Sequence, residues 1–365
     1  MQEPRQFLVV YSTGGADTVG VEPWPQIPGD VVAWFRNVFA DANRRICERL
    51  VNVSNIRETS LDDGLIEALI PNTAPTLLPS GAIVRMDTHN IGGLRRIGFR
   101  NPSLPRRWET ADIAVLVFIY RHETLVAKKI GLLQSKRLYP ENNDVEEDDE
   151  ISFRYGMNAF IRREGMQAFG ALHRQFAFSE TCMYGAIHAE SEQIASIGRI
   201  NRDFGKVVYY LLYNPHIVPV TINYPLQARI PVDQPVIGCR VLDADKMHLA
   251  LSGLSKGASP TFTMVSRANA GNGWPLEVWA ADMLLTCQVG QQFDNTRDAE
   301  VSVFLERRSG PIGAALAVSI TLPDSSFCGS PFSTSCGFAP GDNFDFCRIS
   351  VIMSNFSQSS PSPPV

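Results

Sequence analysis

Ala111-Asp112-Ile113-Ala114-Val115-Leu116-Val117-Phe118-Ile119-Tyr120 and Lys129-Ile130-Gly131-Leu132-Leu133-Gln134-Ser135-Lys136-Arg137-Leu138-Tyr139 decide the fold. Both runs are nearly continuous in apolar β-formers, the pattern of strands buried on both faces. A short polar stretch, Arg121 to Val126, joins them, so they are expected to pair as a hairpin. Three polar side chains interrupt the apolar runs near one end: Asp112, Gln134 and Lys136. Strand side chains alternate, so Gln134 and Lys136 share a face and Ser135 points away. A turn centred near Thr124 would set Asp112 opposite Lys136.

That register gathers a carboxylate, a carboxamide and an ammonium at the end of a buried hairpin. Charges are costly to bury unless they are paired or bind a metal. One reading is a structural Asp112–Lys136 ion pair. The other is a divalent-metal hydrolase site. There a carboxylate and an amide oxygen hold Mg²⁺, and a lysine orients or deprotonates the attacking water.

Asp112, about twenty residues of hairpin, and then Gln134-Ser135-Lys136 resemble the PD-(D/E)xK, or restriction-endonuclease-like, nuclease superfamily, in the branch with Gln at the first position of E-x-K. Ala111 stands where the family usually has Pro. The resemblance implies an α/β fold, a mixed β-sheet flanked by helices, with a C-terminal α+β elaboration or second domain. It implies a metal-dependent endonuclease that hydrolyses phosphodiester bonds, with Mg²⁺ or Mn²⁺ as cofactor and DNA as the expected substrate. Asp112, the Gln134 amide oxygen and the Ser135 carbonyl would bind the metal, and Lys136 would act on the water. Stand-alone bacterial members often serve restriction or anti-phage defence, and that role is carried over as an expectation. Two cuts in a duplex often need two subunits, which favours a homodimer. The alternative on the same scaffold is an inactive module that binds nucleic acid or a partner.

On the N-terminal side, Trp34, Val38, Phe39, Ala42, Ile46 and Leu50 recur at helical spacing and predict a helix over 31–53. A second helix is expected from Ser60, where Ser60-Leu61-Asp62-Asp63 fits a capping box with Asp for Glu. The superfamily often takes a further carboxylate from a helix ahead of the sheet. Glu48, Glu58, Asp62 and Asp63 are the candidates, and Glu58 is favoured as a catalytic and metal-leaning residue. Asp62 and Asp63 are also what a helix N-terminus prefers. Residues 82–87 read as the first core strand, with Asp87 and His89 on one face. Arg95, Arg96, Arg100, Arg106 and Arg107 follow, with Phe99 and Trp108 between them. This basic loop suits a phosphate backbone, and Arg137 beside Lys136 is added to the same nucleic-acid surface.

Beyond the hairpin, an acidic run over 141–150 is expected to be a solvated loop. Residues 151–205 read as largely helical, and 206–213 as a fourth core strand. The expected domains are an N-terminal strand and connector (1–30), a nuclease core with a helical insertion (31–213), an α+β accessory domain (214–323) and a Ser/Pro-rich tail (324–365). The accessory region would sense a signal or bind a partner.

The net charge is −5, so the chain is no general polycation, although a local basic face suffices for nucleic acid. Seven dispersed cysteines without C-x-x-C support neither a zinc ribbon nor a redox motif. A polar start, Met1-Gln2-Glu3-Pro4-Arg5, and no apolar run of about 18 residues lead to the expectation of a soluble cytoplasmic protein with no membrane partner.

Overall fold

The two apolar runs are the central strands of a mixed β-sheet in the computed structural model, which describes residues 23–90, 111–141, 174–224, 226–269, 273–293 and 312–323. Two helices lead, α1 (Gly29–Asn52) and α2 (Glu58–Leu69). Four strands follow: β1 (Thr76–Leu77), β2 (Ile83–Asn90), β3 (Ala111–Arg121) and β4 (Thr124–Arg137). After β5 (Arg174–Phe178) come helix α3 (Glu192–Phe204), β6 (Val208–Tyr213) and β7 (Val220–Tyr224). Next are β8 (Arg240–Asp243), α4 (Ala244–Leu251), α5 (Phe262–Ala268) and β9 (Trp274–Pro275). A short helical turn, α6 (Leu276–Val278), runs on as a π-helix over Trp279–Leu284, and β10 (Gln291–Gln292) and β11 (Ile312–Leu322) complete the described chain. The described residues lie within one unit, Met1–Asp324.

The sheet runs β1-β2-β11-β3-β4-β6-β8-β9, with β10 also on β4, while β5 and β7 form a separate ribbon. β3 and β4 are antiparallel, and β6 is parallel to β4. β11 lies between β2 and β3, antiparallel to the first and parallel to the second. The 214–323 stretch therefore carries helices and strands, and β8 to β11 of it join the same sheet as the hairpin. A run of fully buried side chains lines one face: Val84 and Met86 on β2, Leu316 and Val318 on β11, Ile113 and Val115 on β3. α1 contributes Phe35, Phe39, Ile46 and Leu50 to the same core.

The hairpin register differs from the expected one. The turn is two residues, His122 and Glu123, with His122 at φ 54°. An irregularity between Ile119 and Tyr120 shifts the ladder once more, and the pairing then runs to Ile113↔Leu133. Continued by one step, Asp112 faces Gln134 rather than Lys136. The correction is two residues, so every side chain keeps its face. Helix α2 also begins at Glu58, not Ser60, with Arg57 at the N-cap position, where its side chain does not cap the helix. Residues 174–178, expected as helix, are strand β5 because they pair with β7. The expected strand at 1–30, the basic loop, the acidic run from 142 and the tail lie outside the described residues.

Candidate functional site

The site forms where β3 and β4 part. Ala111 still pairs with Ile312 of β11, while the described β3–β4 ladder ends at Ile113. β4 runs on to Arg137 along β6. The N–H groups of Leu132 and Leu138 point to β6, where they donate to Val207 and Tyr213 carbonyls. Those of Ser135 and Arg137 therefore point into the gap. Carboxylates fill it. Asp112 Oδ2 accepts the Ser135 N–H at 2.7 Å, and Glu58 Oε2 accepts the Arg137 N–H at 2.9 Å. Two side chains thus take the place of the missing ladder and satisfy backbone donors that burial would otherwise strand.

Around these contacts the polar side chains close in. Gln134 Nε2 donates to Asp112 Oδ2 at 2.5 Å, and Ser135 Oγ lies 2.9 Å from the same oxygen. Lys136 Nζ donates to Glu58 Oε1 at 3.1 Å. Asp62, one helical turn after Glu58 and on the same face of α2, lies 2.9 Å from Ser135 Oγ and accepts the Tyr213 hydroxyl at 2.6 Å. Lys136 is 4% exposed and Gln134 2%, whereas Asp112, Glu58 and Asp62 are half-buried as whole residues.

Burial, opposed by Lys136, raises the Glu58 and Asp112 carboxyls above the ordinary range. Burial and then the Asp112 charge push Asp62 up further. Burial alone would lower the Lys136 ammonium, but Glu58, Asp112 and Asp62 outweigh it and hold it above its usual value. Ser135 Oγ has one proton and two carboxyl neighbours at 2.9 Å. It therefore serves as the donor shared between Asp62 Oδ2 and Asp112 Oδ2.

The structure thus brings together Glu58, Asp112, Gln134, Ser135 and Lys136, joins to them Asp62, one of the four candidate carboxylates, and adds Tyr213. The Glu58–Asp62 spacing of four is the signal that sets Asp62 beside the favoured Glu58; Tyr213 carries no sequence signal. Glu48 is paired with Arg44 and Arg229, and Asp87 with Arg85, so neither joins the cluster. Asp63 is exposed. Arg137, expected on the nucleic-acid surface, is turned inward. Its guanidinium donates to the Ser54 carbonyl and lies 4.6 Å over the Tyr139 ring. Burial lowers it to about 10. Arg95, Arg96, Arg100, Arg106 and Arg107 lie outside the described residues.

Among the described residues no group of three His, Cys, Asp or Glu side chains is spaced to hold a metal ion. The donors offered to a cation are instead mixed. Gln134 Oε1 is buried and has no hydrogen-bond partner. Its orientation is chemically forced, because a carboxylate such as Asp112 can only accept, so the amide nitrogen turns to it. An unpartnered buried amide oxygen beside three crowded carboxyls suits an oxygen-seeking divalent cation. Among the described residues no helix is long and apolar enough to cross a membrane. No protein-family model, curated protein or solved structure matches this chain.

Proposed function

We propose that this chain is a metal-dependent nuclease that hydrolyses phosphodiester bonds, on a sheet of restriction-endonuclease-like type. The observation that carries the reading is the meeting of Glu58, Asp112, Gln134, Ser135 and Lys136 at the parting of β3 and β4. The donor set fits Mg²⁺ or Mn²⁺: the Asp112 carboxylate, the unpartnered Gln134 amide oxygen, the Ser135 carbonyl on the same strand edge, and Glu58 directly or through water. The bound ion would supply Lewis acidity and an activated water. Lys136, 3.1 Å from Glu58, would position or deprotonate the attacking water and steady the negative charge of the phosphate.

DNA is the proposed substrate, held through its backbone by the arginines of 95–107, with two subunits for two cuts. The resemblance adds restriction or anti-phage defence as the setting. A second reading, a binding module without cleavage, is favoured by Gln134 itself, which removes one negative charge from the place the family usually gives to Glu.

Incubation with linear, circular and single-stranded DNA and with RNA, under Mg²⁺, Mn²⁺ or EDTA, separates these. Metal-dependent cleavage lost in Asp112→Ala and Lys136→Ala supports the nuclease. Retention without cleavage supports the binding module. Neither outcome in any condition sinks both.

A further inference from the structure

Asp62 and Tyr213 meet the cluster from α2 and β6. Tyr213 closes β6, is fully buried, and is the register partner of Arg137 on β4. A buried phenol needs a partner, and Asp62 Oδ1 provides it at 2.6 Å. The other oxygen of Asp62 lies 2.9 Å from Ser135 Oγ, which in turn lies 2.9 Å from Asp112 Oδ2. Four elements, α2, β3, β4 and β6, are therefore tied in one line of contacts that ends on Asp112.

We propose that Asp62, held by Tyr213, is a positioning residue that sets the Asp112 carboxylate through the Ser135 hydroxyl. The inference rests on the metal-dependent reading of the site and adds to it two residues that serve the cation without ligating it. All three described donors to Asp112, namely Gln134 Nε2, Ser135 N and Ser135 Oγ, fall on Oδ2. That clamp orients the carboxyl before a cation arrives. Outer partners of this kind typically change metal affinity by about 10- to 100-fold. The same helix face that brings Glu58 to Lys136 brings Asp62 to Ser135, so α2 sets both sides of the gap at once.

A purely structural Asp62 would satisfy Tyr213 and do nothing for metal. The two roles part in a double-mutant cycle read by Mn²⁺ binding, without nucleic acid, on protein whose folding is checked by circular dichroism. Tyr213→Phe keeps the ring and removes the hydroxyl. Ser135→Ala removes the middle of the line. Each is expected to weaken Mn²⁺ binding by about 10-fold or more, and the double variant no further than the weaker single, because both break one path. Unchanged Mn²⁺ affinity in Tyr213→Phe, or losses that simply add, overturns the clamp while leaving the metal site standing. Wild-type protein that takes up no Mn²⁺ overturns the metal reading itself and the clamp with it.

Discussion

Asp112 accepts the backbone N–H of Ser135 at 2.7 Å, across a gap that the β3 backbone does not fill. The carboxylate therefore serves the sheet as well as any chemistry. It closes a strand edge, and it places a half-buried negative charge beside Gln134 and Lys136. Structure and function pull on this residue in different directions, because one needs only an acceptor and the other needs a charge.

Asp112→Asn separates the two. The amide oxygen still accepts the Ser135 N–H, so the fold is expected to hold, with a melting temperature equal to or above that of the wild type. Removing the charge takes away a principal donor. Metal-dependent cleavage should fall by at least about 100-fold, since even outer partners reach that range. Thermal melts and a cleavage time course read both effects. A variant that cleaves normally removes Asp112 from the chemistry.

Lys136 and Glu58 form a pair 3.1 Å apart, with side chains 5% and 18% exposed. Breaking a buried pair leaves the other charge uncompensated, at a cost of about 3 kcal/mol. Lys136→Met is expected to lose about that much in urea unfolding. Adding Glu58→Gln should restore part of it, since the Glu58 charge is then no longer orphaned while that of Asp112 still is. An additive double variant contradicts a direct pair.

The sheet's centre was legible because it is local. The β3 and β4 runs, the helical spacing of α1 and the 208–213 strand each announce themselves within a dozen residues. Register was not, because His122 takes a left-handed conformation without the glycine or asparagine that marks a two-residue turn. The shift was even, so the faces of Asp112, Gln134 and Lys136 survived it. β11 between β2 and β3 is a pairing across about two hundred residues, and no local pattern encodes it. Among the four candidate carboxylates Asp62 ranks below Glu58, because Asp is also what a helix N-terminus prefers, whereas α2 starts two residues before Ser60 and turns Asp62 inward.

The raised carboxyls make a pH prediction. Unfolded Asp62 titrates near about 3.9; in the fold, burial and the Asp112 charge move it well above that. The folded chain then holds a proton that the unfolded chain releases. That contribution is complete below the unfolded value and is lost as pH rises through the folded one. Asp62→Asn has no such proton. Its stability relative to wild type, measured without divalent metal, should improve steadily from about pH 4 upward. A difference that stays flat across that window means Asp62 is ionised in the fold.

Arg137 gives the last test, because its sequence position and its placement disagree. It sits beside Lys136 and would suit a phosphate, yet its guanidinium is buried, donates to the Ser54 carbonyl and lies over Tyr139. Arg137→Met leaves that carbonyl without its donor in the core, so a loss of about 2 kcal/mol in stability is expected. Nucleic-acid affinity of the folded fraction should be unchanged, and so should its dependence on salt. A phosphate contact would instead lower the salt slope by about one. Filter binding of a DNA duplex between low and high salt, at a temperature where the variant is folded, decides between the two. A reduced slope would mean that Arg137 leaves the core to meet the backbone. An unchanged slope leaves phosphate recognition to other basic residues, with Arg95, Arg96, Arg100, Arg106 and Arg107 first in line.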